Sequence, residues 1–189
     1  MMSKVLAVTG YKAHELGIFD DKHKGISYIK KAFEKRIMSF IDEGLEWVVI
    51  SGQLGVELWV AEVVLQLKSE QYPIKLGVLT PFLQQEKNWN ESKQQLYNYI
   101  MANADFVDSI SKKEYENPNQ LRMKNKYMIE KTEALLVLYN DENPGSPRFY
   151  IEEAMKKQAR NPSYEIYYIT PEDIEDLVRE DQYNTPTEW

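Results

Sequence analysis

Cysteine is absent from this chain of 189 residues, and histidine occurs only twice. The lack of cysteine excludes disulfide bonds, thiolate metal sites and a cysteine nucleophile. The two histidines, His14 and His23, fall in one polar loop near the start of the chain. We therefore expect exposed histidine side chains and no metal site. No apolar run approaches the roughly 20 residues that a membrane span requires.

Basic residues are outnumbered, because 23 lysines and arginines stand against 30 aspartates and glutamates. The formal net charge of -7 makes nucleic-acid binding an unfavoured interpretation, since such binding usually needs a basic face. The small basic clusters, among them Lys124 and Lys126, are flanked by acids or lie at helical spacing, so we expect them on solvated surfaces. Met1–Val5 enters a strand-like run at once, which leaves no room for a signal peptide and favours the cytoplasm.

Three common motifs are also missing. The chain contains no G-x-G-x-x-G dinucleotide fingerprint, no G-x-x-x-x-G-K-[ST] P-loop and no G-x-S-x-G nucleophile elbow. These absences argue against an ordinary NAD-binding turn, a P-loop NTPase and the usual serine hydrolase.

Short apolar runs alternate with amphipathic stretches along the whole chain. The apolar runs predict strands near 5–9, 47–51, 74–80, 105–109, 134–139 and 166–169. The stretches between and after them predict helices near 26–43, 55–69, 91–103, 117–131, 148–160 and from 171 onward. This alternation of solidly apolar strands with helices predicts an α/β fold with a mostly parallel sheet and helices on both faces. We expect one domain over residues 1–183 and a frayed tail over 184–189.

The segment Ile50–Trp59 reads as the end of a strand, a glycine loop and the start of a helix. A helix N-terminus carries unpaired N–H groups and a partial positive charge, so such a turn is a ready anion site. Gly52 and Gly55 would let the backbone approach a phosphate closely. The alternative is that both glycines only form a tight turn.

In a parallel sheet of this kind, ligands bind beyond the carboxyl ends of the strands. Four loops there carry small or polar residues, which predicts a nucleotide-like pocket without an assigned metal or further cofactor. The candidate ligand-binding residues are Gly10, Tyr11, Ser51, Gly52, Gly55, Glu57, Thr80, Trp89, Gly145, Ser146 and Arg148.

Several of these candidates have a structural alternative. Glu57 would either favour the helix dipole in the first turn or accept a hydrogen bond from a ribose hydroxyl. Tyr11 and Trp89 would either stack on a base or complete the core. Arg148 and Lys12 would either neutralise phosphate or lie on the surface.

At these residues the chain resembles the YpsA family. The similar blocks are VLAVTGY (5–11), ELGIF (15–19), EGLEWVVISGQLGVELW (43–59), TPFLQQEKNW (80–89) and GSP (145–147). The resemblance implies a three-layer Rossmann-like fold of the SLOG superfamily, whose members include the LOG phosphoribohydrolases and DprA. It also implies a cytosolic nucleotide-binding protein, connected in Gram-positive bacteria with cell division and stress. Gly52, Gly55 and Glu57 would form its ligand loop, beside Gly10.

The resemblance leaves three functions open. The first is a sensor for a nucleotide, such as an ADP-ribose-like one, that signals through a protein partner. The second is N-glycosidic cleavage of a nucleoside monophosphate by Glu57 or Glu152. LOG enzymes carry P-G-G-x-G-T-x-x-E where this chain has Pro144–Glu152, and Arg148 and Phe149 replace residues that admit phosphate. The third is a DprA-like nucleic-acid module. Aromatic-rich helices favour a homodimer.

Overall fold

A computed structural model describes residues 3–185 of the chain. Six strands form one sheet: β1 (Val5–Thr9), β2 (Trp47–Ile50), β3 (Lys75–Thr80), β4 (Phe106–Ser109), β5 (Ala134–Leu138) and β6 (Glu165–Ile169). Six helices connect and follow them: α1 (Lys24–Asp42), α2 (Val56–Ser69), α3 (Glu91–Asn103), α4 (Asn119–Glu130), α5 (Pro147–Arg160) and α6 (Pro171–Asn184). Of the predicted tail, 184–189, the structure describes Asn184, which is the last residue of α6, and Thr185. Residues 186–189 lie outside the described residues.

The sheet is entirely parallel, and its strand order is β4-β3-β2-β1-β5-β6. The order reverses at β1, where Ala7 pairs with Val49 of β2 on one side and Leu135 of β5 on the other. Both neighbours place their carboxyl ends at the same edge as β1. The predicted α/β, Rossmann-like architecture is therefore confirmed, and the sheet is fully rather than mostly parallel.

Helices cover both faces of the sheet, because the strand side chains alternate between two apolar clusters. Leu6 and Val8 of β1 face the cluster that packs under α1, α2, α3 and α6. Ala7 faces the opposite cluster, which α4 and α5 cover. Burial on both faces explains why the strands read as unbroken apolar runs.

The first helix shows how the sequence specifies this packing. Its buried residues include Ile26, Ile29, Phe33, Ile37, Phe40 and Ile41, which recur at the predicted spacing of three and four. The helix begins at Lys24, two residues earlier than the apolar spacing indicates. The reason is His23, whose ring accepts a hydrogen bond of 3.0 Å from the Gly25 N–H and so caps the helix.

None of the helices in residues 3–185 has the length and apolar character needed to cross a lipid bilayer. The same part of the chain contains no group of three or more histidine and carboxylate side chains placed to hold a metal ion.

Candidate functional site

A cavity of about 440 Å³ lies at the carboxyl ends of the first three strands. The loops after β1, β2 and β3 form its wall, and α3 and α4 close it. Its apolar lining consists of Ala13, Ile18, Leu54, Pro81 and Leu121. Its aromatic lining consists of Phe19, Phe82 and Trp89, and its uncharged polar lining of Ser51, Gln53 and Gln85. This volume falls in the range of small-molecule sites.

The charged lining of this cavity is entirely basic. Lys12 and His14 reach it from the loop after β1, Lys93 from α3 and Lys124 from α4. Among residues 3–185 no aspartate or glutamate lines it. A chain with a net charge of -7 therefore concentrates positive charge around one concave site.

Lys124 is the most unusual of these residues, because only 3% of its surface is exposed. Its amine donates a hydrogen bond of 3.0 Å to the Tyr150 hydroxyl and makes no ion pair with a carboxylate of residues 3–185. Burial lowers the pKa of Lys124 to about 8, against the opposing influence of the Glu57 charge. Lysines are almost never buried in this way without a partner.

Glu57 lies behind the cavity wall and joins the ends of the first two strands. It is 1% exposed. One of its oxygens accepts hydrogen bonds from the Ser51 N–H at 2.7 Å and the Ser51 hydroxyl at 2.8 Å. The other accepts one from the Thr9 hydroxyl at 3.0 Å. Both oxygens of the Glu57 carboxyl group therefore accept hydrogen bonds from the chain's own donors.

A chain of hydrogen bonds connects the buried lysine with this carboxylate. The Tyr150 hydroxyl, which accepts from Lys124, donates to the Ser51 hydroxyl at 3.3 Å. Ser51 in turn donates to Glu57. Burial, followed by the Glu57 charge, raises the pKa of Tyr150 well above its usual value. The phenol therefore keeps its proton.

The start of α2 is closed by the chain's own backbone. Gly55 has φ +93°, and a Cβ there would lie 2.6 Å from the Tyr11 carbonyl oxygen and 2.7 Å from the Ala13 nitrogen. The Val56 N–H donates to the same Tyr11 carbonyl at 3.1 Å. Glycine is therefore required at position 55 because the backbone of the loop after β1 packs directly against it.

The start of α5 is closed by a side chain. The Glu15 carboxylate accepts hydrogen bonds from the Ser146 N–H at 2.8 Å and the Ser146 hydroxyl at 2.7 Å. A Cβ on Gly145 would lie 2.9 Å from a Glu15 oxygen. Beside it, the Tyr11 hydroxyl accepts from the Asn140 N–H at 2.7 Å. Glu15 therefore occupies the place that an anion would take at this helix N-terminus.

Comparisons with known proteins agree with the fold. The family model YpsA, described as the YspA SLOG family, matches residues 6–174. The chain belongs to this family. It is 56% identical over 181 residues to a UPF0398 protein of Halalkalibacterium halodurans, covering 96% of this chain and 95% of the relative. A UPF0398 protein of Bacillus cereus strain B4264 is 50% identical, with 96% and 98% covered.

A solved structure also resembles this YpsA family chain. It is DNA processing protein A from Helicobacter pylori, reported for its unique mode of single-stranded DNA binding. The TM-score is 0.51 at 11% identity, and the match covers 96% of this chain and 81% of that one. At such low identity the likeness shows a shared fold.

The cavity includes only part of the site that the YpsA family resemblance and the strand-end rule predicted. Ser51 and Trp89 line it. The other nine candidates do not line it: Gly10, Tyr11, Gly52, Gly55, Glu57, Thr80, Gly145, Ser146 and Arg148. Arg148 and the catalytic candidate Glu152 are exposed on α5. Their roles toward a ligand stay predictions.

The prediction that Lys124 lies on a solvated surface is wrong. It shares the inward face of α4 with Gln120, Met128 and Ile129, and these positions recur at helical spacing. That spacing indicates that position 124 is buried, whereas lysine as a residue type favours solvent. Phe82 and Gln85, which lie in the similar block 80–89, and Lys93 of α3 also line the cavity, although none of the three is among the candidate ligand-binding residues.

Proposed function

We propose that this protein binds a small nucleotide or nucleotide-derived anion in the basic cavity. The observation that carries this proposal is the lining of Lys12, His14, Lys93 and Lys124, without a lining carboxylate in residues 3–185. Positive groups in a concave wall attract an anion more strongly than the same groups on an open surface. Lysine is a common phosphate-binding residue, because its ammonium group acts as a compact point charge.

The aromatic lining supports a ligand that also carries a flat ring. Phe82 and Trp89 line the same cavity as the lysines. Trp89 is held edge-on against Tyr97, with ring centroids 5.3 Å apart. The side chain of Gln85 donates to the Ser51 carbonyl at 2.9 Å and to the Tyr97 hydroxyl at 3.2 Å, so it joins the loop after β2 to α3. Stacking on aromatic rings is a general means of binding nucleobases.

Binding is favoured over N-glycosidic cleavage by the positions of the two candidate carboxylates. Glu57 has both oxygens engaged by Ser51 and Thr9, and Glu152 is exposed on α5. Neither lines the cavity. We therefore propose a sensing or regulatory role in the cytoplasm, as the YpsA family resemblance implies. A homodimer, and a protein partner that responds to the ligand, are part of this proposal.

Isothermal titration calorimetry tests the proposal. The full chain is titrated with AMP, GMP, UMP, ADP-ribose and inorganic phosphate, and at least one nucleotide should bind. Lys124→Met keeps the side-chain length and removes the charge, and it should weaken binding roughly tenfold or more, as loss of a charge-assisted hydrogen bond does. Absence of heat with every compound at high protein concentration would refute the proposal.

Lys126→Met is the matched control, because Lys126 is an exposed lysine on the same helix. It should bind like the wild type. A Glu57→Ala variant is a less specific probe. It would leave the buried donors of Thr9 and Ser51 without an acceptor and would disturb the β2 loop whether or not a ligand touches it.

Single-stranded nucleic acid is the second candidate ligand, because lysines and aromatic rings together also form stacking grooves for single strands. The net charge of -7 weighs against it. A short oligonucleotide should therefore compete poorly with the best mononucleotide. An oligonucleotide that binds more tightly at low salt, with affinity falling steeply as salt is added, would favour this candidate instead.

A further inference from the structure

Lys124 is one of the side chains that line the basic cavity, and it carries a group that can react with a ligand as well as bind it. Lys124 presents a primary amine there, 3% exposed, with the Tyr150 hydroxyl as its hydrogen-bonding neighbour at 3.0 Å. Lys12 and Lys93 already supply positive charge to the same cavity.

We infer that Lys124 forms a reversible imine with the aldehyde of a phosphorylated sugar bound in this cavity. The ligand class is an aldose phosphate, or a nucleotide ending in a sugar with a free anomeric carbon. Its phosphate lies against the other basic groups and its open-chain aldehyde faces the amine. The inference rests on the proposed function, because it uses the same cavity.

The chemistry balances without an oxidant or a reductant. The nitrogen lone pair of the neutral amine attacks the carbonyl carbon, and the C=O π electron pair moves onto the oxygen. One of the two nitrogen protons then passes to that oxygen to give a carbinolamine. The nitrogen lone pair then forms the second bond to carbon, the C–O bond breaks, and the hydroxyl group leaves with the remaining nitrogen proton as water. The Tyr150 hydroxyl oxygen, which accepts a hydrogen bond from the Lys124 amine at 3.0 Å, holds the nitrogen in position for this attack.

Burial prepares this amine for attack, because nucleophilic lysines need a neutral nitrogen. The pKa of Lys124 is about 8, against an ordinary value of 10.5. At neutral pH a lysine with the lower pKa holds on the order of a hundred times more neutral amine than an exposed one. The Glu57 charge opposes this effect and the Lys12 charge reinforces it.

Reductive trapping tests the inference. The full chain is incubated with ribose 5-phosphate and cyanoborohydride at mildly alkaline pH, and the modified lysines are mapped by mass spectrometry. One adduct per chain should appear first, on Lys124, at least tenfold faster than on the exposed Lys126. Ribose, which lacks the phosphate, should label slowly, and ribitol 5-phosphate, which lacks the carbonyl, should slow the labelling by competition.

Lys124→Met should lose the fast adduct, whereas Lys126→Met should keep it. Circular dichroism checks that both variants fold. The mapping of modified lysines in the wild-type chain does not depend on either variant. Adducts spread over the surface lysines, with Lys124 no faster than Lys126, would overturn the imine. If calorimetry shows ribitol 5-phosphate or a nucleotide bound while Lys124 stays unlabelled, the imine is refuted and the proposed binding function stands. If none of these compounds binds, the proposed function fails as well.

Discussion

Single residues carry the features that set this chain apart from a generic parallel fold. Gly55 is one such residue, because the backbone of the loop after β1 occupies the space that a Cβ at this position would need. Lys124 is the other, because it holds an amine in a place where the fold supplies no carboxylate partner within residues 3–185. Each leads to a prediction that separates its role from an ordinary surface or turn residue.

Gly55→Ala should destabilise the protein by about 3 kcal/mol, combining left-handed strain with overlap of packed atoms. Its Cβ would fall 2.6 Å from the Tyr11 carbonyl oxygen. Gly17→Ala is the control, since Gly17 has φ +67° but open space around its Cβ position. It should lose only about 1 kcal/mol. Urea unfolding measures both, and equal losses would mean that the contact with the β1 loop is unimportant.

The buried lysine should give the protein a distinctive response to alkaline pH. The unfolded chain keeps the Lys124 proton to about pH 10.5, whereas the folded chain releases it near 8. Stability should therefore rise with pH through this window, by about 2 kcal/mol between about pH 7.5 and about pH 9.5. Urea unfolding of wild type against Lys124→Met isolates this contribution. If the stabilities of the two proteins changed in parallel with pH, the lowered pKa of Lys124 would be contradicted.

At the scale of elements, the loop after β1 is joined to the loop before α5 by hydrogen bonds at the point where the strand order reverses. Tyr11 and Glu15 follow β1 and hold the loop before α5 through Asn140, Asn143 and Ser146. The usual binding crevice of such sheets lies where the strand order reverses. Here Tyr11 and Glu15 engage polar groups of the loop before α5, and the basic cavity lies beside the loops after β1, β2 and β3.

Glu15→Ala should therefore destabilise the protein by about 1 to 2 kcal/mol, since it removes the cap of α5. Burial raises the pKa of Glu15, but the hydrogen bonds from Ser146 and Lys12 outweigh burial and bring it below 4.5. Its contribution is full above that value and is lost as the pH falls through the folded pKa. Glu142→Ala, on an exposed residue of the same loop, serves as control in acid and urea unfolding. The same loss in both variants would refute the capping role.

The sequence predicted the elements well. Of its eleven candidate ligand-binding residues, only Ser51 and Trp89 line the basic cavity, for identifiable reasons. The spacing of Ile29, Phe33 and Ile37 predicts a buried helical face because periodicity is local. The contact between Glu15 and Ser146 joins residues 131 positions apart, and no local pattern encodes it. Lys124 was misplaced because its residue type favours solvent while its position on α4 requires burial.

At the scale of the whole molecule, ligand binding should appear as added stability. A ligand that binds only the folded chain raises the free energy of unfolding by about 2.7 kcal/mol at 100 times its Kd. The Tm should rise with the best-bound nucleotide in thermal unfolding. The corresponding nucleoside should raise it far less, because it lacks the phosphate that the lysines attract. Equal shifts from nucleoside and nucleotide would show that the basic lining is not used.

The location of the phosphate tests the central claim most directly. A crystal structure of the full chain grown with the best-bound nucleotide should show the phosphate in the cavity beside Lys12, Lys93 or Lys124, and the base near Trp89. Glu15 should still occupy the start of α5. A phosphate bound to the backbone of Gly145–Arg148, with Glu15 displaced and the cavity empty, would contradict the account.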